Sequence, residues 1–259
     1  MTTVSVVLPA LNEEDTVAGV VATVLPHIAS GLVKEVVVID SDSTDRTATV
    51  AASAGATVVN WRDGRFTLPE PQPGKGEALW RGVAATTGDI VVFLDADLRE
   101  PGVDWVPTLV EPLIRTYSDA DPVRLVKGHY RRDLPGDNGG GRVTELTAKP
   151  MLRAFRPELA QLKQPLSGEY AARRDTLESI PFASGYGVEI AMLLDVFDRF
   201  GPSSITQVNL GARRHRNRPL SELSVMADQV MGAALSRLGP LEPAPERAPL
   251  ETFKEHGWA

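Results

Sequence analysis

The sequence predicts an α/β protein built on a doubly wound, mostly parallel sheet, and three observations carry that prediction. Short runs rich in β-branched residues recur at Val4–Leu8, Glu35–Ile39, Thr57–Asn60 and Ile90–Leu94. Helical patterns separate them: strand, helix, strand, helix, strand with short connections is the signature of right-handed parallel crossovers. Several runs also end in carboxylate or amide residues, at the strand edge where open α/β sheets bind ligands. The chain has 259 residues, enough for one large domain.

The first run, ended by Pro9, leads to Asn12, a candidate helix N-cap before the acidic turn Glu13, Glu14 and Asp15. Val17, Val20, Val21, Val24 and Leu25 then form a helical stripe. The second strand runs into Asp40-Ser-Asp-Ser-Thr-Asp45 and a helix carrying Thr47, Val50 and Ala51. A Pro-bearing loop over 62–73 precedes Gly74-Lys75-Gly76-Glu77 and a helix through Ala78, Leu79, Val83 and Ala84. Ile90–Leu94 reads as a strand buried on both faces that continues into Asp95-Ala96-Asp97. In extended backbone, residues two apart point the same way, so both carboxylates can face one ligand.

Downstream, Trp105–Tyr117 reads as a helix and Arg124–Tyr130 as a strand. Gly136–Gly141 forms a flexible glycine-rich loop, Gly168–Ala172 a short or edge strand, and Tyr186–Arg199 a helix. Ile205–Leu210 is the last strand and Leu220–Leu238 the last helix. The expected organisation is one catalytic domain over 1–238, with a nucleotide-binding half to about residue 98 and an acceptor-binding half over 99–238. A Pro/Glu-rich tail occupies 239–259.

Composition excludes several functions. There is no cysteine, hence no disulfide, thiolate metal site or cysteine nucleophile. No apolar run approaches the roughly 18 residues of a membrane span, and the N-terminus has no signal-peptide pattern, so the expectation is a cytoplasmic protein with no membrane partner. Net charge is −7, from 27 basic against 34 acidic residues, which argues against a nucleic-acid partner. Basic residues nevertheless cluster at Lys127–Arg132 and Arg213–Arg218, and a basic pocket in an acidic protein suits a small anionic ligand.

Each candidate motif has a plain structural alternative. Asp95 and Asp97 suit a divalent cation bridging a diphosphate, or a strand followed by a helix cap. Asn12 and Glu13 can face a ligand or only cap a helix, and Asp40–Asp45 can contact a ribose or only start the next helix. Lys75 between two glycines suits a diphosphate or a base, but the full phosphate-loop spacing is absent and a surface turn fits too. Gly139-Gly-Gly-Arg-Val-Thr144 offers backbone amides, a guanidinium and a hydroxyl to a phosphate or carboxylate. Arg213-Arg-His-Arg-Asn-Arg218 pairs an imidazole, His215, with phosphate-binding arginines. Glu189, at the start of an apolar helix, complements the helix dipole or binds a sugar hydroxyl.

Taken together, these stretches resemble the glucosyl-3-phosphoglycerate synthases, retaining glycosyltransferases of the GT-A type. The resemblance runs from Pro9 to about Arg237 and is carried by Pro73–Trp80, Gly139–Leu146, Gln164–Ala171, Gly185–Ile190 and His215–Leu220. It implies transfer of glucose from UDP-glucose to the 2-hydroxyl of 3-phosphoglycerate, with Mg²⁺ or Mn²⁺, in a homodimer. It further implies that Pro9, Ala10, Leu11, Asn12, Glu13, Ser41 and Lys75 hold the nucleotide, and that Asp95 and Ala96 contact the sugar nucleotide. Asp97 and His215 would ligate the metal. Gly141, Arg142, Val143, Thr144 and Asn217 would bind 3-phosphoglycerate. Tyr186, Gly187, Val188 and Glu189, with Arg213, Arg214, His215, Arg216, Asn217 and Arg218, would close around the donor.

Two departures from the resemblance stand out: alanine stands where it implies a serine in Asp95-Ala96-Asp97, and the family's longer N-terminal extension is lacking while the loop before Gly139 is short. Glu189 is the candidate nucleophile for retention. The favoured alternative is front-face attack assisted by the leaving phosphate, with Glu189 positioning glucose and Asp95 facing the donor. Rival activities are a GDP-mannose- or GDP-glucose-using synthase, such as a mannosyl-3-phosphoglycerate synthase, a sugar-phosphate nucleotidyltransferase and a non-catalytic nucleotide-sugar binding module.

Overall fold

The computed structural model describes residues 2–63, 69–132, 141–213 and 220–239. Its centre is a seven-stranded sheet made of β1 (Val4–Ala10), β2 (Val33–Asp40), β3 (Thr57–Asn60), β4 (Ile90–Phe93), β5 (Leu125–Arg132), β6 (Tyr170–Arg173) and β7 (Ile205–Arg213). The strand order is β3-β2-β1-β4-β6-β5-β7. Pairing is parallel except at β6, which runs against both β4 and β5. The expected mostly parallel, doubly wound sheet is therefore present, with one reversed strand inserted beside β4.

Alternation along the strands explains why both faces are covered. Val7, Val37, Ile39, Val91 and Phe93 enter one buried cluster, whereas Val6, Leu8, Val36, Val38 and Val92 enter the other. Successive side chains point to opposite faces, so an uninterrupted apolar run is what a strand sandwiched between helices requires. Helices α1 (Val17–Ala29), α2 (Thr47–Ser53), α3 (Lys75–Ala85) and α4 (Trp105–Arg115) connect the first five strands. Thr144–Ala148 forms a π-helical turn leading into α5 (Lys149–Phe155), and α6 (Arg174–Glu178) follows β6 directly. A 3₁₀ turn, Gly185–Gly187, opens α7 (Val188–Phe200), and α8 (Leu220–Leu238) packs on α7 and on that turn. Among the described residues no helix is long and apolar enough to cross a membrane.

Several expected boundaries move. The first helix starts at Val17, after Thr16, so Asn12 is not its cap. The strand through Ile90 ends at Phe93, which places Asp95 and Asp97 in the turn beyond it rather than on extended backbone. The short strand expected at Gly168–Ala172 forms at Tyr170–Arg173, and the last strand continues to Arg213. The glycine-rich loop lies outside the described residues except for Gly141, as does the tail except for Gly239.

Sheet order explains where a ligand can sit. β1 has β2 on one side and β4 on the other, so the chains leaving β1 and β4 diverge and open a crevice beyond their C-terminal ends.

Candidate active site

The β1 side of the crevice is a pair of strand-end loops tied together by polar side chains. Asn12 has φ 58°, a left-handed conformation that asparagine tolerates better than most residues. Its Oδ1 accepts from the Thr44 amide at 2.8 Å and the Thr44 hydroxyl at 3.2 Å, and its own amide donates to Ser43 Oγ at 3.0 Å. The Glu13 amide donates to Thr47 Oγ1 at 2.7 Å, and Arg46 pairs with Glu14 at 3.0 Å. Asp45 accepts from the Thr47 amide at 2.9 Å, the bond of a residue preparing the α2 N-terminus. Asp45 precedes the Arg46 N-cap of α2, so it is not itself the cap, and its other oxygen accepts from the Glu14 amide at 3.2 Å.

These loops wall a cleft of about 550 Å³. Pro9, Ala10, Leu11, Asn12, Glu13 and Ser41 line one part, and Lys75, Asp95, Ala96, Asp97 and Tyr186 line another. The spacing of Asp95 and Asp97 therefore brings both to one cleft, through a turn instead of a strand. Trp61, Gly74, Ala78 and Glu222 also line it; Gly74 and Ala78 lie in the Pro73–Trp80 stretch, whereas Trp61 and Glu222 were not among the expected residues. Trp61 had a usable signal, since it directly follows the third parallel strand. Glu222, on α8, had no local one.

At the cleft floor Lys75 bridges two carboxylates, Asp95 at 2.6 Å and Glu189 at 2.7 Å. Lys75 is the first residue of α3, after Gly74 at φ 116°, and Glu189 lies in the first turn of α7. Those helix starts meet because glycines let the backbones touch: a Cβ on Gly74 would stand 2.6 Å from the Gly185 Cα. Burial lowers the Lys75 pKa, but Asp95 and Glu189 more than offset it and hold it well above the usual lysine value. Glu189 is 5% exposed and does not line the cleft itself, whereas its partner Lys75 does. Such a bridge fixes two carboxylates side by side and offers a cation to a negatively charged ligand.

Behind this bridge lie further ionisable groups, one of them from the Lys127–Arg132 basic run. Lys127 on β5 is 2% exposed and donates to the Ser167 carbonyl at 2.7 Å. Glu169 is fully buried and accepts from Ser167 Oγ at 3.0 Å. Burial and then the Glu189 charge push the Tyr170 phenol well above its ordinary pKa. The Tyr170 hydroxyl has no hydrogen-bond partner among the described residues.

Among the described residues, Gly141–Thr144, Gly187 and Val188 are not among those that line the cleft. Gly141, Arg142, Val143 and Thr144 precede or open the π-helical turn, with Val143 and Thr144 buried and Arg142 exposed. Gly187 and Val188 are buried behind Tyr186. Arg213 ends β7, while Arg214, His215, Arg216, Asn217 and Arg218 lie outside the described residues.

The family described as Glycosyl transferase family 2 matches residues 5–165. The glucosyl-3-phosphoglycerate synthase of Mycolicibacterium smegmatis is 56% identical over 242 residues, covering 92% of this chain and 78% of that protein. The chain belongs to the glucosyl-3-phosphoglycerate synthase family. Crystal structures of the Mycobacterium tuberculosis family member superpose with a TM-score of 0.83 at 54% identity, covering 92% of this chain and 80% of that one. One of them holds Mn²⁺, UDP-glucose and phosphoglyceric acid, and another Mn²⁺, UDP and glucosyl-3-phosphoglycerate. The family resemblance read from Pro73–Trp80, Gln164–Ala171 and Gly185–Ile190 thus extends to the fold.

Proposed function

We propose that this chain transfers glucose from UDP-glucose to the 2-hydroxyl of 3-phosphoglycerate with retention of the anomeric configuration. The observation that carries the reading is the Lys75 bridge between Asp95 and Glu189 at the floor of a cleft walled by the β1 and β2 loops. Pro9–Glu13 and Ser41, with Trp61 beside them, hold the nucleotide. Lys75 presents its ammonium to the donor, Asp95 and Ala96 face the sugar nucleotide, and Tyr186–Glu189 with Arg213–Arg218 close around it. Gly141–Thr144 and Asn217 take the acceptor, so residues 1–98 serve the donor and 99–238 the acceptor within one domain. The protein acts as a homodimer in the cytoplasm, where phosphorylated substrates that do not cross membranes are available.

The donor set suits a hard divalent cation, Mg²⁺ or Mn²⁺. Asp95, paired with Lys75, and Asp97, two residues on, both line the cleft. A carboxylate oxygen and the His215 imidazole leave positions for phosphate oxygens and water, and among the described residues no cluster of three His, Cys, Asp or Glu side chains offers a different site. Held by Asp97 and His215, the cation would neutralise charge on the departing diphosphate.

Glu189 is buried and salt-bridged, which favours a positioning role over that of an exposed nucleophile. Activity of Glu189→Gln within about tenfold of wild type would exclude an essential nucleophile. The function itself is tested by incubating the protein with UDP-glucose, 3-phosphoglycerate and Mg²⁺ and reading the product anomer by NMR. The expected product is α-linked glucosyl-3-phosphoglycerate; no transfer from UDP-glucose or from a panel of GDP-hexoses sinks the reading.

A further inference from the structure

Lys127 is a buried amine that no part of the proposed reaction uses. It stands directly opposite Tyr170 in the antiparallel β5–β6 register, and Tyr170 stands opposite Phe93 on β4. These three side chains form one row on one face of the sheet: the Phe93 and Tyr170 ring centroids are 4.8 Å apart, and Lys127 Nζ lies 4.3 Å from the Tyr170 centroid. Burying an amine there is unfavourable unless its environment offsets the loss of water. The offset is specific. Nζ donates to the carbonyl of Ser167, and the next residue, Gly168, lies against Asp95, since a Cβ added there would come 2.6 Å from the Asp95 carboxylate carbon. A mechanical path therefore runs from Lys127 through the Ser167–Glu169 turn to Asp95 and on to Lys75 and Glu189.

The charges facing Lys127 come from every side of the pocket. Glu189 of α7, Lys75 of α3, Glu169 just before β6 and Asp95 beyond β4 all act on it, while β7 places the uncharged Gln207 beside it in register. The cluster thus sets the carboxylates Asp95, Glu169 and Glu189 against the cations Lys75 and Lys127.

We propose that Lys127 is a positioning residue for glucosyl transfer: its buried ammonium anchors the Ser167–Glu169 turn beneath Asp95 and serves as the second cation of the Asp95–Glu189 pair. This deepens the proposed function and rests on it. Burial is the main influence on Lys127 and lowers its pKa to about 8, against the opposing pull of Glu189. The Lys75 and Tyr170 pKa values both stand well above their ordinary values, so neither titrates near Lys127. Lys127 is protonated below about pH 8 and loses its charge above it. Activity that depends on the ammonium therefore falls as pH rises through that value.

The test compares full-length wild type, Lys127→Met and Lys127→Arg, with UDP-glucose, 3-phosphoglycerate and Mg²⁺, following kcat/KM for the donor against pH and melting temperature alongside. The wild type is expected to lose activity along one limb centred near pH 8. Lys127→Met should stay folded with a lowered melting temperature, fall roughly tenfold to a hundredfold at neutral pH and lack the limb. Lys127→Arg, which stays charged, should recover much of the rate and also lack the limb. The inference is overturned if Lys127→Met keeps the wild-type rate and profile. It is equally overturned if folded Lys127→Arg is as impaired as Lys127→Met, or keeps a limb near pH 8. Should Lys127→Met fail to fold, the arginine variant decides by the same criteria. A wild type that transfers no glucose overturns both this inference and the proposed function; an active wild type with unaffected variants overturns this inference alone.

Discussion

Asn12 and Lys75 line the same cleft, yet they are held there in opposite ways. Asn12 is exposed and sits in a web of hydrogen bonds with Ser43 and Thr44, beside the Arg46–Glu14 pair, in which Arg46 is 79% exposed. Water can replace each of those partners, so each bond contributes about 0.5–1.5 kcal/mol at most. Lys75 is largely buried between Asp95 and Glu189, and behind it Lys127 and Glu169 are more deeply buried still. Water cannot replace those partners, and removing one leaves charge stranded in a poorly solvated place. The contrast predicts that the proposed nucleotide side of the cleft tolerates single changes, whereas the proposed sugar side fails when any one charge is lost.

The sharpest way to break that comparison is Lys75→Met. The substitution removes the cation shared by Asp95 and Glu189 and forces two carboxylates together. Removing one partner of a buried pair costs about 3–5 kcal/mol. Asp95 is 24% exposed and keeps some hydration, so the lower end of that range is expected for stability. Catalysis should suffer more, with kcat/KM falling roughly a hundredfold to a thousandfold. Lys75→Arg keeps the charge but not the compact ammonium and should recover only part of the loss. Steady-state kinetics with both variants check this; a Lys75→Met enzyme within about threefold of wild type would show that the bridge does not organise the sugar side.

A smaller effect is expected at Gln229, which joins the two regimes. Its Oε1, reaching out from α8, accepts the Tyr186 amide at 2.8 Å, and Tyr186 lines the cleft. Gly185, at φ 63°, passes so close to this side chain that a Cβ would strike the amide. Gln229→Ala frees one backbone amide without stranding a charge. The donor KM should therefore rise about threefold to tenfold, with kcat less affected and the melting temperature lowered by about 2–4 °C. Gln229→Glu, which keeps an acceptor at the same reach, should restore the donor KM. If the glutamate variant is no better than alanine, the hydrogen bond to Tyr186 is not what α8 contributes.

The same division explains what was legible in the sequence. The β1, β2 and β4 runs announced themselves because strands buried on both faces must be continuously apolar, and their C-terminal ends mark the crevice whatever the helices do. Asp95, Asp97, Asn12, Glu13 and Ser41 all follow those strand ends into the cleft, and Lys75 joins them from the start of α3. The reversed β6 was harder to read, because Tyr170–Arg173 is four residues long and its direction depends on pairing with β4 and β5. Asn12 misled in another way: an amide before an acidic turn has the pattern of an N-cap, but its φ of 58° and its bonds to Thr44 serve a loop-to-loop tie. Lys127 showed only as the first residue of a basic run, and Glu169 only as one position of the Gln164–Ala171 match. Their significance lies in a burial and a cross-strand register that unite residues from β5, β6, α3 and α7, and no local pattern encodes that.

The weakest expected effect tests the tolerant side and has two separable parts. Asn12→Ala removes the acceptor for Thr44 and puts a Cβ-bearing residue with no local hydrogen bond at φ 58°. The left-handed conformation costs such a residue roughly 1–2 kcal/mol, and the lost exposed bonds cost less than about 1 kcal/mol more. Asn12→Gly loses the bonds but accepts the backbone conformation, so it should recover most of the stability while sharing the functional defect. Denaturant melts and donor KM values for the pair separate the parts. Stability should rank wild type, then glycine, then alanine, while both variants raise the donor KM only about twofold to fivefold. If Asn12→Gly instead cost as much activity as Lys75→Met, its exposed amide would be acting on the donor directly. The nucleotide side could then no longer be regarded as a tolerant scaffold.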